Sequence, residues 1–222
     1  MSLKSAVGYL PVSAKELIKR YKDEFLYAMK VYDEPDVTPP IEKVMKAFVG
    51  MDTARVVIVG QDPYPKKGVA CGLAFATEHG TQMPISIKNI YKCLRESNLI
   101  TIIPKHSDLS SWAEQGVLLL NTTLTTTIGK SNAHVDQWKP FITKVIEELD
   151  KPDMIFILLG KQAQKLVLKN AIRLEWGHPS PVNLVNNTEE PEAFKFCTCF
   201  KEANNRLTAM GKAPIDWDSV ND

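Results

Sequence analysis

The stretch Ala54-Arg55-Val56-Val57-Ile58-Val59-Gly60-Gln61-Asp62-Pro63-Tyr64-Pro65 decides the fold class. Its first half is a short apolar run rich in β-branched residues and closed by a glycine, the pattern of a strand buried on both faces. The pattern recurs at residues 117–120, ending at Asn121, and at 154–159, ending at Gly160. A weaker fourth run spans 171–176 and ends at Gly177. Helical periodicity lies between and beyond these runs, at 87–96, 109–115, 139–149, 162–169 and 199–210, with Gly211 as a stop. Strands alternating with helices predict an α/β fold, a short four-stranded parallel sheet flanked by helices on both faces.

Upstream, Ser13 followed three residues later by Glu16 reads as a capping box. Leu17, Ile18, Tyr21, Phe25, Leu26 and Met29 then recur at helical spacing, which predicts one long helix over 14–30. Pro35, Pro39 and Pro40 interrupt it, and a second helix is expected over 41–48. Residues 1–222 are read as a single domain, a helical part over about 1–50 and an α/β part over about 51–217.

Composition sets the outer limits. A chain of 222 residues that is 44 % apolar and 24 % charged is an ordinary globular protein, not a disordered, collagenous or coiled-coil one. At this length a single core buries roughly 70 % of the unfolded chain's surface, so neither disulfide nor metal is needed for folding. The longest apolar run, 154–159, is far below the roughly 20 residues that cross a bilayer, and residues 1–10 lack a signal-peptide pattern. No membrane association is expected, and the protein is expected to be intracellular: cytoplasmic in a bacterium, nuclear or host-cell in a eukaryote or virus. Cys71, Cys93, Cys197 and Cys199 lack CxxC spacing, so reduced thiols are expected and no metal site. The net charge of +1 excludes a globally basic nucleic-acid binder but not a local patch.

Ligands of open parallel sheets bind at the carboxyl ends of the strands, and the unusual residues stand there. Gln61-Asp62-Pro63-Tyr64-Pro65 follows the first strand, Asn121 ends the second, and His178-Pro179-Ser180-Pro181 follows the fourth. Singly, each has an ordinary explanation: an Asx turn at Asp62, a satisfied buried amide at Asn121, a structural histidine at His178, a core ring at Phe75. Together they make a pocket with a carboxylate, an amide, an imidazole and two rings, an inventory suited to a flat, hydrogen-bonding heterocycle.

The sequence resembles the family 1 uracil-DNA glycosylases. The matching segments run in family order: GQDPY (60–64), GLAF (72–75), MPISIKNIYKCL (83–94), WAEQGVLLLN (112–121), GHPSP (177–181) and PIDW (214–217). The resemblance implies the superfamily's fold and the hydrolysis of deoxyuridine in DNA to free uracil and an abasic site, the first step of base-excision repair. It implies no cofactor and no metal. It also implies the site residues. Asp62 would orient the attacking water and stabilise the cationic sugar, and His178 would donate to uracil O2. Asn121 would read the uracil edge, Phe75 would stack on the base, Tyr64 would close the space beside C5, and Gln61 would contact the base or its water. Pro84, Ser86, Ser180, Pro181 and Val182 would touch DNA. With no lysine in the matched catalytic motifs, hydrolysis without strand cleavage is expected.

Four departures accompany the match. Pro65 stands where the family usually has histidine, and Gln137 replaces a usual glycine although His134 and Trp138 fit. Val182-Asn183 replaces the usual leucine and serine, which predicts a weaker wedge into the duplex and a preference for single-stranded over double-stranded substrate. Residues 183–196 are longer than usual and carry Glu189, Glu190 and Glu192, so they are expected to lie away from the DNA path or to dock a partner. A monomer is expected, with a DNA-mimicking inhibitor protein as a family-level partner. The alternatives are a DNA-binding or replication-accessory protein of the same fold with weakened catalysis, and a glycosylase of broader specificity. Tyr64 argues against the latter.

Overall fold

The computed structural model describes residues 3–180, 194 and 197–221. The chain opens with helices α1 (Leu3–Val7), α2 (Val12–Arg20) and α3 (Lys22–Met29), followed by strand β1 (Val37–Thr38) and two 3-10 turns, Lys46–Phe48 and Met51–Thr53. Then come β2 (Val56–Gly60), α4 (Ile85–Glu96), α5 (Ser110–Glu114), β3 (Val117–Asn121) and β4 (Thr126–Thr127). The last part runs α6 (Val135–Leu149), β5 (Ile155–Leu159), α7 (Lys161–Gln164), β6 (Ile172–Trp176) and α8 (Cys199–Ala209).

The central sheet is parallel, in the order β3-β2-β5-β6. Every residue of β2, β3 and β5 is buried, and the edge strand β6 is only partly so, as the three strong apolar runs and the one weak run require. The connection from β2 moves one way along the sheet to β3, and the next returns across β2 to β5. With right-handed crossovers, α4 and α5 cover one face and α6 covers the other. The reversal occurs at β2, so the carboxyl end of β2 is the switch point where a ligand crevice opens. The register pairs Gly60 with Asn121, which brings the ends of β2 and β3 level.

Aromatic side chains join the elements around the sheet to one another. Phe25 of α3 lies 5.2 Å from Phe141 of α6, while Trp112 of α5 packs edge-on at 5.1 Å against Trp217 and donates its indole N–H to the Trp217 carbonyl. The four cysteines are buried free thiols. Among the described residues no helix is long and apolar enough to cross a membrane.

The helical expectations need correction in five places. The helix over 14–30 breaks at Tyr21, whose backbone leaves the helical region while its hydroxyl donates to Glu148 on α6 at 2.7 Å. Ser13 is not a cap: α2 starts one residue earlier, behind Pro11, and Asp52 takes the Ser13 N–H at 3.2 Å. Residues 41–48 form successive 3-10 turns, since Lys43, Lys46 and Phe48 each donate to the carbonyl three residues back. The helix over 162–169 stops at Gln164 because Arg173 takes the carbonyls of Gln164 and Leu166, and the Asp150 carboxylate takes the N–H groups of residues 169–171. Finally, α6 begins four residues before the expected 139, with Pro140 inside it.

Candidate active site

A cavity of about 210 Å³ opens at the carboxyl ends of β2 and β3, and Gln61, Asp62, Tyr64, Phe75, Asn121 and His178 all line it. Six residues from four separate segments thus meet in one place, as expected from the strand ends. Ser86 lines it as well.

The loop after β2 is held by the segment after β3. Thr122 donates its N–H to the Gly60 carbonyl and its hydroxyl to the Gln61 carbonyl, and Thr123 N–H also reaches Gln61. Gly129 N–H donates to the Pro65 carbonyl at 2.8 Å. Pro65 itself, lacking an N–H, leaves that carbonyl as its only backbone handle. Asn132 completes the clamp: its N–H donates to Asp62 Oδ2 at 2.7 Å, and its side-chain oxygen accepts from Gln61 Nε2 at 2.7 Å. The clamping segment is pinned from behind by a buried network in which Trp138 Nε1 donates to Thr125 Oγ1 and His134 Nδ1 lies 2.9 Å from the same oxygen.

Asp62 is half-buried, and burial pushes its carboxyl above the ordinary range while the Asn132 N–H pulls the other way. No cation pairs with it among the described residues. A carboxylate so placed is a concentrated negative charge available to a cation that develops beside it. Tyr64 is largely enclosed; its hydroxyl donates to the Phe75 carbonyl at 3.3 Å, and burial pushes it well above the usual phenol range. Phe75 has a φ of +65°, a left-handed conformation unusual for an aromatic residue. Such strain persists where surrounding structure over-determines it, and is found at ligand sites. Its ring centroid stands 6.1 Å from that of His178, with the planes 36° apart.

Asn121 ends β3 with only 7 % of its surface exposed, and its side-chain amide makes no hydrogen bond among the described residues. An amide on a cavity wall with no protein partner among the described residues has its donor and acceptor available to a ligand. Gly60 makes room for it, since a Cβ there would sit 2.2 Å from Asn121 Oδ1. His178 is depressed below the usual imidazole range by burial, and its Nδ1 accepts the Ser180 N–H at 3.1 Å. The neutral ring therefore carries its proton on Nε2, as a donor. Gly160, with a φ of +92°, lies directly beneath it; a Cβ there would meet His178 Cβ at 2.8 Å.

Of the expected DNA contacts, Pro84 is the extended residue that caps α4, and Ser86 is the second residue of that helix. Ser180 lies beside His178, tied to α4 through Asn89 Nδ2, which donates to the Pro179 carbonyl at 2.7 Å. Pro181, Val182 and the acidic stretch after them lie outside the described residues. Sequence reasoning missed Asn132 and Asn89. Asn132 stands in a Gly-Lys-Ser-Asn turn, where asparagine commonly adopts a positive φ, so only the turn itself was legible.

Comparison with known proteins points to one family. The profile described as the uracil DNA glycosylase superfamily matches residues 48–208. A uracil-DNA glycosylase of equine herpesvirus 1 (strain Ab4p) is 38 % identical over 222 residues, covering 96 % of this chain and 69 % of that protein. The crystal structure of mimivirus uracil-DNA glycosylase superposes with a TM-score of 0.86 at 26 % identity, over 98 % of this chain and 89 % of that one. A mimivirus variant crystallised in complex with UGI also gives a TM-score of 0.86, at 25 % identity over 98 % of this chain and 91 % of that one. The profile covers most of the chain and reaches from before β2 into α8, so the chain belongs to the uracil DNA glycosylase superfamily.

Proposed function

We propose that this protein hydrolyses the N-glycosidic bond of deoxyuridine in DNA, releasing uracil and leaving an abasic site, the opening step of base-excision repair. Convergence of Asp62, Asn121 and His178 on one cavity, with Phe75 and Tyr64 as its walls, carries this conclusion.

Breaking the bond leaves an oxocarbenium-like sugar and a uracil anion. Asp62, an unpaired carboxylate, stabilises the first and orients the attacking water. His178, neutral with its Nε2 proton free, donates to O2 of the second. The Asn121 amide, which lines the cavity, pairs with the N3–O4 edge of the base. Cytosine presents an amine where uracil has O4, and sets donor against donor there. Phe75 stacks on the base. Tyr64, anchored to the Phe75 carbonyl, occupies the space a C5 methyl would need, so thymine is excluded by overlap. Gln61, held by Asn132, contacts the base or its bound water.

At the rim, Pro84, Ser86 and Ser180 contact the strand on either side of the extruded nucleotide; Pro181 and Val182, outside the described residues, are assigned to DNA contact by the resemblance alone. Valine is a short wedge, so single-stranded uracil DNA, which needs no unpairing, is cleaved faster than duplex. The active form is a monomer. A DNA-mimicking inhibitor protein is a partner consistent with the UGI complex of the mimivirus relative. A DNA substrate places the protein inside a cell.

Incubating the protein with uracil-containing oligonucleotides, single- and double-stranded, tests this function. Free uracil and alkali-labile sites without prior strand breaks are expected, faster on the single strand. DNA binding without uracil release would refute it in favour of an accessory role.

A further inference from the structure

We propose that Asn132 is a positioning residue for this reaction, its left-handed backbone aiming an N–H at Asp62 while its side chain holds Gln61, so that one residue sets both groups at the mouth of the pocket. The inference rests on the glycosylase function above and deepens it.

Two short hydrogen bonds and one unusual dihedral support the role. Asn132 has a φ of +59°, a conformation that asparagine and glycine adopt readily and β-branched residues avoid. Only with that dihedral does the residue present its N–H to Asp62 Oδ2 and its side-chain oxygen to Gln61 Nε2, both at 2.7 Å. Occupying Oδ2 fixes the carboxylate plane and leaves Oδ1 without a protein donor among the described residues, free to face water and sugar. The residue is itself braced on both sides. Gly129 N–H holds the Pro65 carbonyl, and Ala133 N–H donates to Thr126 Oγ1 at 3.3 Å in the short strand β4, which pairs with β1. Asn132 thus transmits the rigidity of the segment after β3 to the catalytic loop.

The Asn132 N–H is also the one influence that opposes the effect of burial on Asp62. Tyr64 and His178 are the other titratable groups lining the cavity; both are neutral near pH 7, and no cation among the described residues pairs with Asp62 to take over the role of the N–H. Removing the hydrogen bond must therefore raise the pH at which Asp62 ionises.

Single-turnover uracil release measured against pH for wild type, Asn132→Val and Asn132→Gly tests the proposal. Valine resists the left-handed conformation and loses both contacts. Its plateau rate is expected to fall about tenfold to a hundredfold, the scale of a lost hydrogen bond to a charged group, with the acid limb displaced to higher pH. Glycine keeps the dihedral and the N–H and loses only the Gln61 contact, so a fall of about threefold to tenfold is expected with the acid limb where wild type has it. Thermal melts accompany each variant. Should the valine variant fail to fold, Asn132→Ala, less hindered, is expected to show the same displacement in smaller measure. An acid limb identical in all variants, or one that moves as far in the glycine variant as in the valine one, overturns the role. A wild type without uracil release overturns the glycosylase function itself, a result read before any variant is compared.

Discussion

Replacing Gly60 by alanine is the smallest change that disturbs the base reader without touching it. The new Cβ would stand 2.2 Å from Asn121 Oδ1 and 2.8 Å from Ala74 Cβ, whereas ordinary van der Waals contact begins at 3.4 Å. The Asn121 amide must therefore retreat by about 1 Å, the difference between 2.2 and 3.4 Å, or swing out of the pocket. A displacement of that size in a group aligned with the reacting base costs on the order of 10²-fold, and losing one donor to a developing anion costs about 10² to 10³-fold, or about 2.7–4 kcal/mol. Gly60→Ala is thus expected to lower the single-turnover rate of uracil release by about two to three orders of magnitude. Because the contact with Ala74 overpacks the junction of β2 and the following loop, folding stability should also fall, by about 1–3 kcal/mol in urea titration. Gly60 has no side chain and is not one of the residues assigned to DNA contact, so DNA binding measured by fluorescence anisotropy should change little. A Gly60→Ala enzyme within threefold of wild type, in a protein shown to be folded, would mean that Asn121 does not read the base.

Three further outcomes follow from the pocket. Truncating Tyr64 to alanine removes the ring anchored on the Phe75 carbonyl, and thymine release from T-containing oligonucleotides should become measurable, with discrimination against thymine reduced at least about tenfold, the scale of one methyl group in a pocket; release of uracil alone would remove Tyr64 from specificity. Burial raises the Asp62 carboxyl above its unfolded value near 3.9, so the fold favours the protonated form: that contribution is present below the unfolded value and is lost as pH rises through the folded one. At neutral pH the ionised group is a cost, and Asp62→Asn should raise the thermal midpoint while abolishing release, an unchanged or lower midpoint contradicting the assignment. Gly160→Ala places a Cβ 2.8 Å from His178 Cβ at a φ of +92°, so a large fall in rate together with a lower thermal midpoint is expected; a normal rate would show that His178 can shift without consequence.

The sheet was legible because three of its four strands are buried on both faces. β2, β3 and β5 each read as a continuous apolar run that no exposed helix would tolerate, the edge strand β6 reads more weakly, and the bounds differ by no more than two residues. The pocket was legible for the same reason: all its expected residues but Phe75 follow those runs directly, and the resemblance assigned the roles. The elements misread are those whose hydrogen bonds are settled by distant groups. Arg173 and Asp150 end α7, Asp52 supplies the cap expected from Ser13, and the Tyr21–Glu148 contact accompanies the break between α2 and α3. Asn132 was missed because it acts on Asp62 through its backbone, which every residue possesses, and only the dihedral distinguishes it. His178 shows the reverse case: the residue was legible and the position of its proton was not, until Ser180 N–H was found on Nδ1.

Single-turnover release of uracil from a single-stranded oligonucleotide by wild type, Asp62→Asn and Asn121→Ala, with a metal chelator throughout, tests the central claim most directly. The geometry predicts metal-independent release by wild type and a fall of orders of magnitude in both variants, each still folded and still bound to DNA. Full activity in either variant, or a wild type that binds uracil DNA and releases nothing, would contradict it.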